Sequence, residues 1–269
     1  MVLPGRNVHS GVMTVTTWTV ERAVGELRAA ETGRTARRPI TDDWPELDLA
    51  TAYQVQTEFV AARGERVIGV KLGLTSHAKQ RRMGIDAPLT GWLTDGMVLA
   101  AGAPVPVGEL IHPRVEPEIV FTLGARLRGP GVTPATAMAA VSTVSAGLEV
   151  IDSRYRDFRF TLPDVIADNA SSARFVVGDV TRDPRELDLT LEACVLREAG
   201  EVVDTATGAA VQGHPANALA LAANALADRG LALEEGWLVL TGGLTDAVPF
   251  RPGHPITADF THLGSVTVG

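Results

Sequence analysis

Cysteine is almost absent from this chain. Cys194 stands alone among 269 residues, which excludes an internal disulfide framework and any cysteine-rich zinc site. Basic residues are outnumbered, with 24 Lys and Arg against 32 Asp and Glu, for a formal net charge of -8. An acidic chain without basic clusters is a poor nucleic-acid binder, because neutralising phosphate is the main source of that affinity. It is equally unsuited to anionic membrane surfaces. No apolar run approaches the ~20 residues that span a bilayer. The N-terminus, MVLPGRNVHSGVMTVTTW, lacks a basic patch followed by an apolar stretch and reads as no signal peptide. These absences predict a cytoplasmic protein whose partners are neither nucleic acid nor membrane.

What is present is an ordinary globular composition, 45% hydrophobic and 21% charged. Residues 1–18 have no clear period and read as a lead-in. From Thr19, placed as an N-cap, Val20, Ala23, Val24, Leu27 and Ala30 follow helical spacing, with Gly33 near the end. Pro39 and Pro45 mark a loop, and a second helix is predicted over 48–63, closed by Gly64. Residues 1–65 thus form a lead-in and helical section, and 66–269 a mainly β catalytic region. Strands are predicted at 67–72, 114–123, 148–151, 174–178, 187–197, 201–204, 237–241, 256–260 and 265–268. Ala199-Gly200 reads as a hairpin turn, Thr133-Pro134 as the start of a short helix, and 215–229 as a helix stopped by Gly230. Many short strands with few helices predict an α+β fold, a rolled β core with peripheral helices.

Three acids attract attention. In Val115-Glu116-Pro117-Glu118-Ile119-Val120-Phe121, residues two apart on a strand share a face, so Glu116 and Glu118 project together. Like charges so close repel unless a cation or a shared proton intervenes. A solvated surface pair is the plain alternative, but Pro117 is unexpected within a central ladder and an apolar run follows directly. Glu149 lies in Leu148-Glu149-Val150-Ile151, flanked by apolar residues, and a buried acid needs a partner. That partner could be an arginine. Equally, three carboxylates without cysteine or clustered histidine suit a hard divalent ion such as Mg2+ or Mn2+. Lys71, among Val70, Leu72 and Gly73, is either solvated at an edge or compensates a buried negative site. The segment 164–172, DVIADNASS, reads as a polar loop able to bind a carboxylate. Thr241-Gly242-Gly243 would let a ligand approach the backbone. His112 and His214, each before a proline, read as structural.

Together, GVKLGLTS, HPRVEPEIVF, LEVIDSRY, DVIADNASS and the terminal LTGG…PG…LGSV resemble the fumarylacetoacetate hydrolase superfamily. The resemblance runs in order from about Ile68 to the C-terminus. It is closer to the branch of 2-keto-4-pentenoate hydratases and 4-oxalocrotonate decarboxylases. RFTLPD at 159–164, LTGGLT at 240–245, Met83-Gly84-Ile85 and Trp92-Leu93-Thr94-Asp95 lean towards the decarboxylases. The resemblance implies a mixed β-roll with an N-terminal helical region. It also implies Mg2+ (or Mn2+) on Glu116, Glu118 and Glu149, Lys71 as the catalytic lysine, and substrate contacts from Leu72, Asp95, Asp168, Ser171, Ser172, Thr241 and Gly242. The implied reaction is decarboxylation of 2-oxohex-3-enedioate to 2-hydroxypenta-2,4-dienoate through a metal-stabilised dienolate. The implied assembly is a homo-oligomer, in complex with a partner hydratase. Hydration of the dienoate on the same metal is the alternative. A metal-free interaction protein of the same fold is a further one, against which the retention of all three acids and Lys71 argues.

Overall fold

The computed structural model describes residues 17–269. The lead-in expected over 1–18 lies outside the described residues except for its last two. Helix α1 (Val20–Thr32) starts where Thr19 Oγ1 accepts the N–H of Arg22 at 3.1 Å. Helix α2 (Leu49–Ala61) starts where the Asp48 carboxylate accepts the N–H of Thr51 at 2.7 Å. Each cap satisfies an amide that the first helical turn leaves without a partner. The strands follow as β1 (Val67–Gly73), β2 (Leu89–Thr94), β3 (Arg114–Leu123), β4 (Val141–Ile151), β5 (Ser172–Arg182), β6 (Ala193–Glu198), β7 (Glu201–Thr207), β8 (Leu238–Leu240), β9 (Val248–Pro249), β10 (Ile256–Phe260) and β11 (Gly264–Val268). The further helices are α3 (His77–Met83), α4 (Pro134–Ala139), α5 (Leu162–Ala167) and α6 (Pro215–Asp228).

The larger sheet runs β2-β1-β8-β3-β4-β5, with β9 added to β3, and the smaller runs β11-β10-β6-β7. Beyond β2, Val98 bridges Phe175 of β5, and the N–H of Leu99 donates to the Phe175 carbonyl at 2.7 Å. The two edges of the larger sheet therefore meet, and the sheet rolls around an inner face. Strand periodicity sorts the side chains. Val70, Ile119, Phe121, Leu148 and Val176 turn outward into the main core, which α6 and the smaller sheet cover. Leu93, Val120, Phe175 and Leu240 turn inward as a second apolar cluster. A third cluster packs Leu27, Val55 and Phe59 of the N-terminal helices against Tyr155 and Ile166.

The α+β roll expected from the sequence is the observed fold. The hairpin turn is observed too, with Ala199 at φ 50 and Gly200 at φ 89, the two left-handed positions of a type I′ turn. Two expectations need correction. Pro117 does lie in a central strand, opposite Leu148. Its carbonyl accepts from the N–H of Leu244 at 2.9 Å, on the edge facing away from β4. The missing N–H belongs to that same edge, where β8 pairs only with 120–122 and β9 only with 114–115, so the proline sits in a gap between ladders. The strand expected from 187 begins only at Ala193. The Asp188 side chain accepts the N–H of Thr190 at 3.0 Å and turns the chain, so an apolar alternation that imitates a strand leaves Leu191 on the surface.

Candidate active site

The acids meet because of register. Glu116 lies directly opposite Glu149 across β3 and β4, and Glu118 lies opposite Gly147, which offers no side chain. All three carboxylates share the inner face, and one oxygen of each lies within 4.8 Å of the others. Glu118 and Glu149 are fully buried. Glu118 Oε2 accepts the N–H of Gly242 at 2.7 Å. Glu118 Oε1 and Glu149 Oε1 are buried with no hydrogen-bond donor. Burial and the Glu149 charge push the Glu118 carboxyl well above the usual carboxylate range, against the pull of Lys71. Buried acceptors without donors are costly, and an all-oxygen set of this kind fits a hard divalent cation.

The glycines beside the cluster leave it room. A Cβ on Gly243 would lie 2.8 Å from the Glu116 carboxyl carbon. Gly242 adopts φ 112, and a Cβ there would lie 2.1 Å from Thr75 Oγ1. Gly243→Ala must move the Glu116 carboxylate. It is expected to weaken Mn2+ binding by roughly tenfold, the lower range for disturbing what orients a ligand. Titration calorimetry checks this, and an unchanged affinity would show that the approach is not needed.

Lys71 reaches the acids across the roll. It sits on β1, three strand spacings from β4, which is ~14 Å in a flat sheet. Curvature brings its Nζ to 2.8 Å from Glu149 Oε2, as an ion pair with both side chains buried. Nζ also donates to the Ala170 carbonyl at 3.1 Å. Burial acts to lower its pKa, but the charges of Glu149, Glu116 and Glu118 outweigh that and hold it above the ordinary lysine value. These charges favour the ammonium form. Lys71 is one of only two lysines in a chain whose other cations are arginines, and a lysine can give up a proton where an arginine cannot.

The other expected contacts divide. Gly242 reaches the cluster through its backbone, while Thr241 Oγ1 donates to the Ile119 carbonyl at 2.8 Å. The Leu72 side chain turns the other way, into the main core. Asp95 lies just beyond the end of β2 and is exposed. Its carboxylate accepts the N–H of Arg66 at 3.1 Å. Asp168 is engaged elsewhere too. It forms a buried ion pair with the Arg154 guanidinium and accepts the N–H of Arg154 at 3.1 Å. Burial pushes it up to about 6, against the pull of Arg154. Ser171 Oγ donates to Asp168 Oδ2 at 3.4 Å, and Ser172 Oγ lies 3.9 Å from Met97 Sδ. The segment 164–172, expected as a polar loop able to bind a carboxylate, is a buried helix end and turn whose polar groups bond to the protein itself.

Within it, Asn169, Ala170 and Ser171 take φ 50, 52 and 59, three successive left-handed residues without a glycine. Such backbone costs about 1–2 kcal/mol per residue. The role of Asn169 in it was missed from sequence, although an asparagine followed by small residues is the available signal for a left-handed turn. His112 Nε2 lies 2.7 Å from the Ser153 carbonyl, and His214 Nδ1 accepts the N–H of Ala216 at 3.0 Å as a helix cap. Each is engaged with the backbone. Cys194 is buried, and burial pushes its thiol up to about 12.

Residues 66–268 match the family described as fumarylacetoacetate (FAA) hydrolase, C-terminal. The chain belongs to the fumarylacetoacetate hydrolase family. It is 45% identical over 231 residues to a 4-oxalocrotonate decarboxylase of Pseudomonas sp. (strain CF600), covering 85% of this chain and 88% of that protein. It is 38% identical over 248 residues to a 2-hydroxyhexa-2,4-dienoate hydratase of Comamonas testosteroni, covering 90% and 94%. The solved structure of 4-oxalocrotonate decarboxylase from Pseudomonas putida G7, complexed with magnesium and adipate, matches with a TM-score of 0.89 at 41% identity, over 94% of this chain and 98% of that one. Within the family the chain is a lyase of the decarboxylase and hydratase branch.

Proposed function

We propose that the chain is a metal-dependent decarboxylase. It would convert 2-oxohex-3-enedioate, or a similar 2-oxo dicarboxylate, to 2-hydroxypenta-2,4-dienoate and CO2 in the meta-cleavage catabolism of aromatics. The observation that carries this reading is the carboxylate cluster, with Glu118 and Glu149 buried and Lys71 against it. Identities of 45% and 41% to decarboxylases support this choice of reaction. Glu116, Glu118 and Glu149 would hold Mg2+, with Mn2+ as the alternative. When bound, the cation would supply Lewis-acid polarisation at the 2-oxo end of the substrate.

The rest is the work of the chain. Lys71 opposes the negative charge that three carboxylates and a dianionic substrate bring together. Among the described residues, two of its three N–H groups meet Glu149 and Ala170, and the third would face the substrate. As CO2 departs, the electron pair of the broken C–C bond moves through the C3=C4 double bond to the 2-oxo oxygen. The Lys71 ammonium can stabilise that oxygen and give it a proton. The apolar cluster adjoins the same groups. Phe175 lies opposite Glu149, Leu240 beside Lys71, and Val120 two residues from Glu118. This lining excludes water, which strengthens the electrostatics and favours loss of CO2 over addition of water. The same reading includes a homo-oligomer, and a docked hydratase that takes the unstable dienol.

A product assay tests the reaction. With Mg2+ present, 2-oxohex-3-enedioate is expected to release CO2, and 2-hydroxypentadienoate offered alone is expected to persist. Consumption of the dienoate without CO2 release would assign the chain to hydration, and no turnover of either compound would leave the interaction protein.

A further inference from the structure

Lys71 is held in place by a turn whose conformation has to be enforced. The turn presents the Ala170 carbonyl to Nζ at 3.1 Å. It does so by placing Asn169, Ala170 and Ser171 in left-handed backbone, which non-glycine residues adopt only when their surroundings require it. The requirement comes from the Asn169 side chain. Its Oδ1 accepts the Trp92 N–H at 2.7 Å, and its Nδ2 donates to the Trp92 carbonyl at 2.9 Å. The side-chain amide thereby pairs with β2 as a neighbouring strand would. Asn169 is fully buried, so no water competes for these bonds.

The residue next to Trp92 is part of the same seat. Gly91 pairs with Lys71 across β1 and β2. A Cβ on Gly91 would lie 2.8 Å from the Asn169 carbonyl oxygen and 3.0 Å from Lys71 Cδ. One short stretch of β2 therefore carries the turn on its backbone groups and the lysine stem against its missing side chain. The Ala170 carbonyl adds a neutral anchor to the anionic one from Glu149. With Glu149 alone, the ammonium would be free to swing towards Glu116 and Glu118.

We propose that Asn169 is a positioning residue for Lys71: by clamping the 169–171 turn onto Trp92, it fixes the Ala170 carbonyl and with it the direction of the Lys71 ammonium. This rests on the reading that Lys71 acts in turnover.

The test is a double-mutant cycle on the Mg2+-loaded enzyme with 2-oxohex-3-enedioate. Asn169→Gly keeps a residue that accepts left-handed backbone but removes both bonds to Trp92. It is expected to lower kcat about tenfold, within the range for a small misplacement of a catalytic group. Mn2+ affinity should stay within about twofold, because none of the three acids is altered. In a Lys71→Met background, Asn169→Gly should cost nothing further. A general structural defect would instead multiply the loss and weaken the metal site as well. If Asn169→Gly does not fold, Asn169→Asp replaces it; it retains an acceptor for the Trp92 N–H but sets an acceptor against the Trp92 carbonyl, and its loss should also vanish without Lys71. Independent, multiplying losses overturn the proposal, as does normal kcat in Asn169→Gly beside a slow Lys71→Met. Normal turnover in Lys71→Met itself would instead overturn the reading of Lys71.

Discussion

Glu118→Ala is expected to remove nearly all turnover at ordinary Mg2+ concentrations, and Glu116→Ala and Glu149→Ala likewise. Each removes one of three carboxylates that share a single cluster, and a hard cation held by few protein ligands does not tolerate the loss of one. The fold should survive, because the side chains lie on an inner face that Leu93, Val120, Phe175 and Leu240 also support. Stability without metal should separate the variants. Glu118 has a buried oxygen without a donor and a pKa raised by burial and by Glu149. Its native state binds the proton more tightly than the unfolded chain does. The stability it contributes is therefore full below the ordinary glutamate value near 4.5 and is lost as pH rises through the higher native value. At neutral pH in chelator, Glu118→Ala should melt at or above the wild-type temperature. Glu149→Ala should melt below Glu118→Ala, because it strips Lys71 of its 2.8 Å partner and leaves a buried cation poorly paired. Calorimetry in chelator checks the order, and turnover by the triple alanine variant in chelator would sink the assignment.

Lys71→Met is expected to lower kcat by about 10²-fold, the size of losing one well-placed electrostatic group. KM should move much less. In decarboxylation, charge leaves the distal carboxylate and builds on the 2-oxo oxygen. A cation held against Glu149 stands at the end where charge accumulates, so it stabilises the transition state more than the bound substrate. Steady-state kinetics separate the cases. Near-normal kcat with a much larger KM would place the ammonium at the distal carboxylate instead.

Some of this was legible in the sequence because its causes are local. Thr19 caps its helix through a bond to the residue three positions ahead. Ala199 and Gly200 turn a hairpin by their own backbone preference. That Glu116 and Glu118 share a face follows from the two-residue strand period alone. Glu149 stood out because an acid among apolar neighbours needs a partner.

The rest depended on contacts between distant segments. DVIADNASS is rich in hydroxyl and amide groups, which suggested a polar loop able to bind a carboxylate. Yet Thr41 donates to Asp164 through its N–H at 3.0 Å, Arg154 pairs with Asp168, and Trp92 bonds to Asn169, so the segment is buried. Those three partners lie from 14 to 123 residues away in the chain. Asp95, a substrate contact that the resemblance implies, lies just beyond the end of β2, where its carboxylate meets Arg66.

The sequence by itself therefore determined which side chains could serve: an acid pair two apart on a strand, a third acid among apolar residues, a lysine beside glycines, and no cysteine or histidine set to rival them. Tertiary structure alone decided that they come together. The antiparallel register sets Glu116 opposite Glu149, the curl of the sheet carries Lys71 across three strand spacings, and a clamped left-handed turn supplies its second anchor. The physical reason is the range of the interactions. Strand period and helix caps act over a few residues. Register, sheet curvature and the partner of a buried charge are set by burial of the whole apolar core, to which every strand contributes at once.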